Sequence, residues 1–242
     1  MAFDGRLTIA ARIDNPTVNR LQSLLSSEVM LEAYDAGNGF VLRWGADYGV
    51  ANIRKCLNSA TAIKRTRKKL RMLANLRDAG VTVPMETDSL PCVARWNGGS
   101  RGSGLSFCKT TVEMEEARKD GAGAFLEWIP IKKEYRIHVF RGLVISICEK
   151  KKNRKSHKYI RSVSNGWKFC DVACLRGVDA VDLIYSAVAA VRALELDFGA
   201  VDLAMSKDNI PVVFEVNTAP GLNDDRAKLY TKHIMKWLNT FQ

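Results

Sequence analysis

Apolar and polar positions alternate along residues 199–205 and again along residues 212–217. In a strand, residues two apart share a face. Val201, Leu203 and Met205 then point one way, and Asp202 points the other way between Ala200 and Ala204. On the second segment Val212, Phe214 and Val216 oppose Glu215 and Asn217. The polar run Ser206-Lys207-Asp208-Asn209 predicts the turn between them. The same alternation predicts a hairpin from 134–140 and 143–148, turned at Arg141-Gly142, with Glu134, Arg136 and His138 on one face. No second His or Cys stands at ligand spacing from His138, so it reads as structural. Residues 40–44, 91–96 and 124–130 read as further strands.

Spacings of three and four predict helices. Asn15-Pro16 caps and opens one, followed by Val18, Leu21, Leu25 and Val29. A single helix over 59–79 is striped by Ile63, Leu70, Leu73 and Leu76 and stopped by Gly80. A charged helix follows at 113–120. Val178, Val181, Ile184, Val188, Val191 and Leu194 stripe the next, and Ala227, Tyr230, Ile234, Trp237 and Phe241 the last.

Composition changes this picture little and charge changes it more. A chain of 242 residues, 47% hydrophobic and 26% charged, suits a soluble protein with a sizeable core, as one large domain or two small ones. No run approaches the roughly 18 apolar residues of a membrane span, and residues 1–12 lack the apolar core of a signal peptide. A cytoplasmic protein is expected. The six cysteines show no zinc spacing and read as buried free thiols. The net charge of +11 is concentrated, with nine Lys or Arg in 54–77 and eleven in 132–161. Such a surface attracts nucleotides, acidic peptides or nucleic acid. No zinc-finger or RNA-recognition pattern favours nucleic acid, and no Ser-His-Asp or Cys-His set suggests a hydrolase.

Asp202, Glu215 and Asn217 would put two carboxylates and an amide oxygen on paired strands. That set suits Mg²⁺, which takes few carboxylates and completes its shell with substrate phosphates. The segment FEVNTAPGL, residues 214–222, resembles the E-x-N-x-x-P-G signature of the ATP-grasp carboxylate–amine ligases, and GAVDLAM resembles its partner metal strand. Within that family the chain resembles the ribosomal-protein glutamate ligases or other phage or bacterial ATP-grasp proteins. The resemblance implies an α+β ATP-grasp fold, with two lobes closing on ATP. A reduced N-terminal α/β region would span 1–57, the small lobe 58–128 and the large lobe 129–242. Asp202, Glu215 and Asn217 would hold Mg²⁺ (or Mn²⁺) on the ATP phosphates.

Other motifs extend the resemblance. In K-L…L…G-V-x-V-P, Lys69, with Lys68 beside it, matches a phosphate-contacting lysine. Arg95 stands where the family has a second phosphate lysine, and Gly102 lies in the glycine-rich run that matches a lid. Arginine is a rigid fork and not equivalent to lysine, so this position departs from the family pattern. Glu127, Trp128 and Ile129 match the adenine-binding linker. Glu134 would serve the ribose, Arg136 the transferring phosphoryl group, and Lys150, or Lys151 beside it, the γ-phosphate. Arg161 and Asn165 match a segment lying over the site near the substrate. The implied reaction passes through an acyl phosphate and ends in an amide, on an amino acid or an acidic peptide or protein. A kinase that stops at phosphoryl transfer, and a basic nucleic-acid binder on an inactive scaffold, are the alternative outcomes.

Overall fold

The structure is a computed structural model and describes residues 5–96, 104–175, 177 and 179–241. Its first sheet is parallel. It is built from β1 (Leu7–Ala11), α1 (Pro16–Leu25), β2 (Glu28–Met30), β3 (Tyr34–Asp35), β4 (Phe40–Trp44), β5 (Val50–Ala51) and β6 (Lys55–Leu57). The order is β2-β1-β4-β6, while β3 and β5 form a short pair of their own. Parallel neighbours need a crossover, and α1 supplies the one between β1 and β2. The side chain of Asn15 accepts from the Thr17 and Val18 N–H groups, so α1 starts where the sequence predicts. It stops sooner than predicted. Ser26 turns left-handed at φ 49°, and Val29 leaves the helical stripe to pair with Ile9 in the sheet. Adjacent serines favour ends over helix interiors, and a β-branched valine favours a strand.

Next come α2 (Ala60–Arg67), α3 (Lys69–Asp78), β7 (Cys92–Arg95), β8 (Leu105–Cys108), α4 (Thr111–Lys119) and β9 (Ala124–Glu127). The strands form a small antiparallel sheet in the order β8-β7-β9. The single helix expected over 59–79 is two, broken at Lys68, whose φ of −96° and ψ of 111° are extended. A continuous helix would stack Lys64 over Lys68, Arg65 over Lys69 and Arg67 over Arg71, and like charges four apart repel. The break makes Lys69 the first residue of α3. Thr110 and Glu113 cap α4 reciprocally.

The large sheet contains β10 (Ile131–Phe140), β11 (Leu143–Lys151), β12 (Lys168–Val172), β13 (Phe198–Ser206) and β14 (Pro211–Asn217). It is antiparallel, in the order β12-β11-β10-β13-β14. Arg141 and Gly142, both at positive φ, make the predicted hairpin turn. Between β12 and β13 runs α5 (Asp179–Ala193), and α6 (Asp224–Leu238) closes the chain. α5 covers one face of the sheet, sharing a core with Ile137, Val201, Leu203 and Val216. Its buried stripe is Ala180, Leu183, Ala187, Ala190 and Val191. The predicted stripe holds at Val191 and Leu194, both buried, and fails before them: Val181 is 70% exposed, Ile184 and Val188 are half-buried, and Val178 lies outside the described residues. Alanines let the helix approach the sheet closely, so the smaller side chains turn inward.

Strict alternation also fails on β14. Asp202 pairs with Glu215 but Leu203 with Val213, so Phe214 is an extra residue in a β-bulge. Val213, rather than Val212 or Phe214, joins Val216 in the core.

α6 lies against α1 and the parallel sheet. Its Tyr230, Ile234 and Trp237 share a core with Leu21, Phe40, Trp44 and Phe198. The ring of Phe40 meets that of Trp237 edge-on at 5.7 Å, and Trp44 stacks on Phe198 at 5.3 Å. Three cysteines, Cys92, Cys108 and Cys148, are buried as expected, but Cys56 and Cys170 are half-buried and Cys174 is exposed. Among the described residues no helix is long and apolar enough to cross a membrane.

Candidate active site

The face of the large sheet turned away from α5 carries charge. Strand register places Asp171, Cys148, Arg136, Asp202 and Glu215 in one row across all five strands. A second row brings Phe169 beside Lys150 and Glu134 beside Ala204. A third sets His138 beside Ala200 and Ala200 beside Asn217. Directly opposed side chains stand roughly 5 Å apart at Cβ. Asp202, Glu215 and Asn217 therefore share one face, and Ala200 and Ala204, both fully buried, flank Asp202 on it.

Cations and carboxylates alternate on this face. Arg136 clamps Asp202 with two parallel bonds, Nε to Oδ1 at 2.6 Å and Nη2 to Oδ2 at 2.7 Å. Burial pushes the Asp202 carboxyl up, but the charge and bonds of Arg136, helped by Lys150 and Lys69, hold it below its usual value. Burial works against the Arg136 charge, and Asp202 more than offsets that. The guanidinium also lies 4.1 Å from the ring centroid of Phe169. Lys69 reaches to 3.6 Å from Glu215. Burial pulls the Lys69 pKa down, against the attraction of Glu215, and nearby Arg95 pulls it further. Lys150 pairs with Glu134, both almost wholly buried, and its Nζ donates to the Arg161 carbonyl at 2.7 Å. Burial raises the Glu134 carboxyl, opposed by Lys150. Asn217 has a buried amide nitrogen with no hydrogen-bond partner in the structure.

Among the described residues no group of three or more His, Cys, Asp or Glu gathers. Two carboxylates and an amide oxygen are a donor set that Mg²⁺ accepts alongside phosphate oxygens, so the residue types fit that ion. His138 is structural, as its lack of ligand partners predicts. It is fully buried with Nδ1 3.0 Å from the Tyr230 hydroxyl, and burial, then Arg136 and Arg226, push its pKa down to about 3.

The remaining expected residues have surroundings of their own. Arg95 ends β7, half-buried. Gly102 and the other residues of the glycine-rich run from 98 to 103 lie outside the described residues, and Gly104, at positive φ, leads into β8. Glu127 accepts from the Met85 N–H at 3.0 Å, so its carboxylate is engaged in holding that segment. Trp128 and Ile129 sit in the connector between β9 and β10. The Trp128 ring meets Phe107 at 5.3 Å and Tyr159 at 5.9 Å, and Phe107 stacks on Tyr159 at 4.1 Å. Arg161 touches the charged face through its carbonyl, while its guanidinium lies 4.8 Å from the Trp167 ring centroid. Asn165 sits in a turn, its N–H donating to the Ser162 carbonyl at 3.1 Å. Two charges on the face escaped the sequence. Arg226, in the first turn of α6, pairs with Asp171 and lies 3.1 Å from the Cys148 sulfur. Only the register and the docking of α6 join them.

No protein-family model matches the sequence. The chain is 27% identical over 224 residues to a "Probable alpha-L-glutamate ligase" of Pseudomonas putida, covering 79% of this chain and 71% of that protein. A protein of the same description from Vibrio parahaemolyticus is 28% identical over 222 residues, with the same coverage. Among solved structures, D-alanine–D-alanine ligase from Bacillus anthracis superposes with a TM-score of 0.69 at 14% identity, over 98% of this chain and 96% of that one. The ATP-grasp ligase PsnB, complexed with a minimal precursor, gives 0.66 at 14% identity, over 99% and 100%. By its sheets and by these likenesses, the chain has the ATP-grasp fold and is similar in sequence to glutamate ligases.

Proposed function

We propose that the chain is an ATP-dependent carboxylate–amine ligase. A substrate carboxylate attacks the γ-phosphorus of ATP, giving an acyl phosphate and ADP. An amine then attacks the acyl carbon, phosphate leaves, and the amine's proton is lost as the amide forms. The observation that carries this reading is the row in which Arg136 faces Asp202 and Lys69 reaches Glu215, with Asn217 on the same face. Each carboxylate is held by a cation whose alternative partner is phosphate. Asp202, Glu215 and Asn217 would hold Mg²⁺ (or Mn²⁺), which when bound supplies charge neutralisation and alignment of phosphate oxygens. Arg136 and Lys150 would then face the transferring group, and Lys69 and Arg95 the other phosphates. Phosphoryl transfer asks for this placement of charge more than for covalent help.

By the same reading Glu134 serves the ribose, and Glu127, Trp128 and Ile129 border the adenine. Arg161 and Asn165 lie toward the substrate. Residues 1–57, 58–128 and 129–242 are the N-terminal region and the two lobes. The relatives are named for glutamate, and PsnB was solved with a precursor peptide, with Mg and ADP in one complex. Glutamate and acidic peptides are the substrates to try first. A cytoplasmic setting supplies ATP and keeps the thiols reduced.

The test supplies ATP, Mg²⁺, L-glutamate and a peptide panel, and measures ADP, phosphate and the new amide by mass spectrometry. Glu215→Gln is expected to lower turnover by about a hundredfold or more. ADP without an amide would mark a kinase. Turnover indifferent to Glu215→Gln would remove the ligase reading.

A further inference from the structure

We infer that Arg12 and Arg67, both fixed on the carboxylate of Asp47, form the receptor for a carboxylate of the non-nucleotide substrate. The inference rests on the ligase reading only for what the anchored molecule then undergoes.

In open parallel sheets, ligands bind beyond the carboxyl ends of the strands. Arg12 follows the last residue of β1, and Asp47 follows β4 by way of Gly45 and Ala46. A bridge between Ala11 and Gly45 ties the two strand ends together. This edge meets the loop that follows Asn217. A Cβ on Gly45 would come to 2.8 Å from the Cβ of Ala219, two residues past Asn217. Arg67 ends α2, two residues before Lys69, which reaches Glu215.

Each oxygen of Asp47 takes one guanidinium: Arg12 Nη2 lies 2.6 Å from Oδ1 and Arg67 Nη1 2.7 Å from Oδ2. The Asp47 side chain is 6% exposed, whereas those of Arg12 and Arg67 are 46% and 48% exposed. The anion is thus sunk and the two forks stand out from it. A guanidinium carries five N–H donors in a fixed plane, so one bond to Asp47 leaves an edge for a second carboxylate. Two cations on one anion also leave a surplus positive charge beside the site, where a simple tie between elements needs only one. The loop is set in advance. Buried Arg43 donates to the Tyr48 carbonyl at 2.9 Å, and the Tyr48 hydroxyl lies 2.5 Å from the Met30 carbonyl oxygen. Preset donors bind without an ordering cost.

The test uses the full chain and calorimetry, with L-glutamate and the N-acetylated, C-amidated tripeptide Ala-Glu-Ala as probes, Ala-Gln-Ala blocked in the same way as the carboxylate-free control, and Mg·ADP as a separate ligand. Wild type is expected to bind the acidic probes more tightly than Ala-Gln-Ala. Arg12→Gln and Arg67→Gln should each weaken the acidic probes by about tenfold or more, with ADP affinity changed less than about twofold. Arg12→Lys and Arg67→Lys keep the charge but lose the fork, and should weaken them by less. If the glutamine variants unfold, the lysine variants decide: weaker binding supports the receptor, and unchanged binding overturns it. Equal binding of Ala-Glu-Ala and Ala-Gln-Ala by wild type also overturns it. Probe binding is read without turnover, so the receptor can stand if no amide forms, and the ligase can stand if the receptor fails.

Discussion

Arg136 and Asp202 are a buried pair, and a buried pair shows its strength mainly when one partner goes. Arg136→Met would leave the Asp202 carboxylate enclosed and unpaired, at a cost of about 3–5 kcal/mol in urea unfolding, beyond any effect on turnover. The pH profile carries a second expectation. His138 has a folded pKa of about 3 against 6.5 for the free side chain, so between those values the unfolded chain takes up a proton that the fold refuses. Stability should therefore fall as pH drops from 6.5 toward 3. Asp202 adds to the same limb: its folded value lies below 3.8, so its contribution holds above 3.8 and is lost as pH falls through the folded value. Urea titrations across this range should be steep in wild type and flatter in His138→Gln, which keeps a partner for Tyr230 without the ionisable ring. Alternation made the shared face of Asp202, Glu215 and Asn217 legible, because a period of two needs no partner. Arg226 and Asp171 were not legible, since they lie 55 residues apart and meet only when α6 docks.

At the level of elements, the sequence located helices better than it oriented them. α5 is the clearest case. Its valines and isoleucine suggested one buried face, yet Ala187 and Ala190 are at 0% exposure and Val181 is at 70%. Hydrophobicity ranks side chains but does not register how closely a backbone can approach a sheet. Ala187→Leu is expected to cost about 1–3 kcal/mol by overpacking, and Val181→Ser to change stability by no more than about 0.5 kcal/mol. Chemical denaturation of the two variants reads both, and a reversed order would restore the valine stripe. The bulge at Phe214 defeats any count by two, because one unpaired residue re-aims everything before it. β1 escaped notice for another reason. All five of its residues are buried, as in a parallel sheet covered on both sides, and no alternation marks it.

At the scale of the whole molecule, the parallel sheet meets the loop that follows the charged strand β14. Gly45 is the point at which the parallel sheet touches the loop after Asn217, at φ +75° with no room for a side chain. Gly45→Ala is expected to lower stability by about 1–3 kcal/mol in thermal unfolding, through backbone strain and contact with Ala219. A melting temperature equal to wild type would show that the two parts can slide without penalty. The docking of α6 onto the parallel sheet has a consequence for biosynthesis. Leu21, Phe40 and Trp44 find their cover in Tyr230, Ile234 and Trp237, which are translated near the end of the described chain. While the ribosome works through the intervening sheets, that early apolar surface stays bare and open to chaperones or to neighbouring nascent chains. Strands made early in this stretch are thus sealed late.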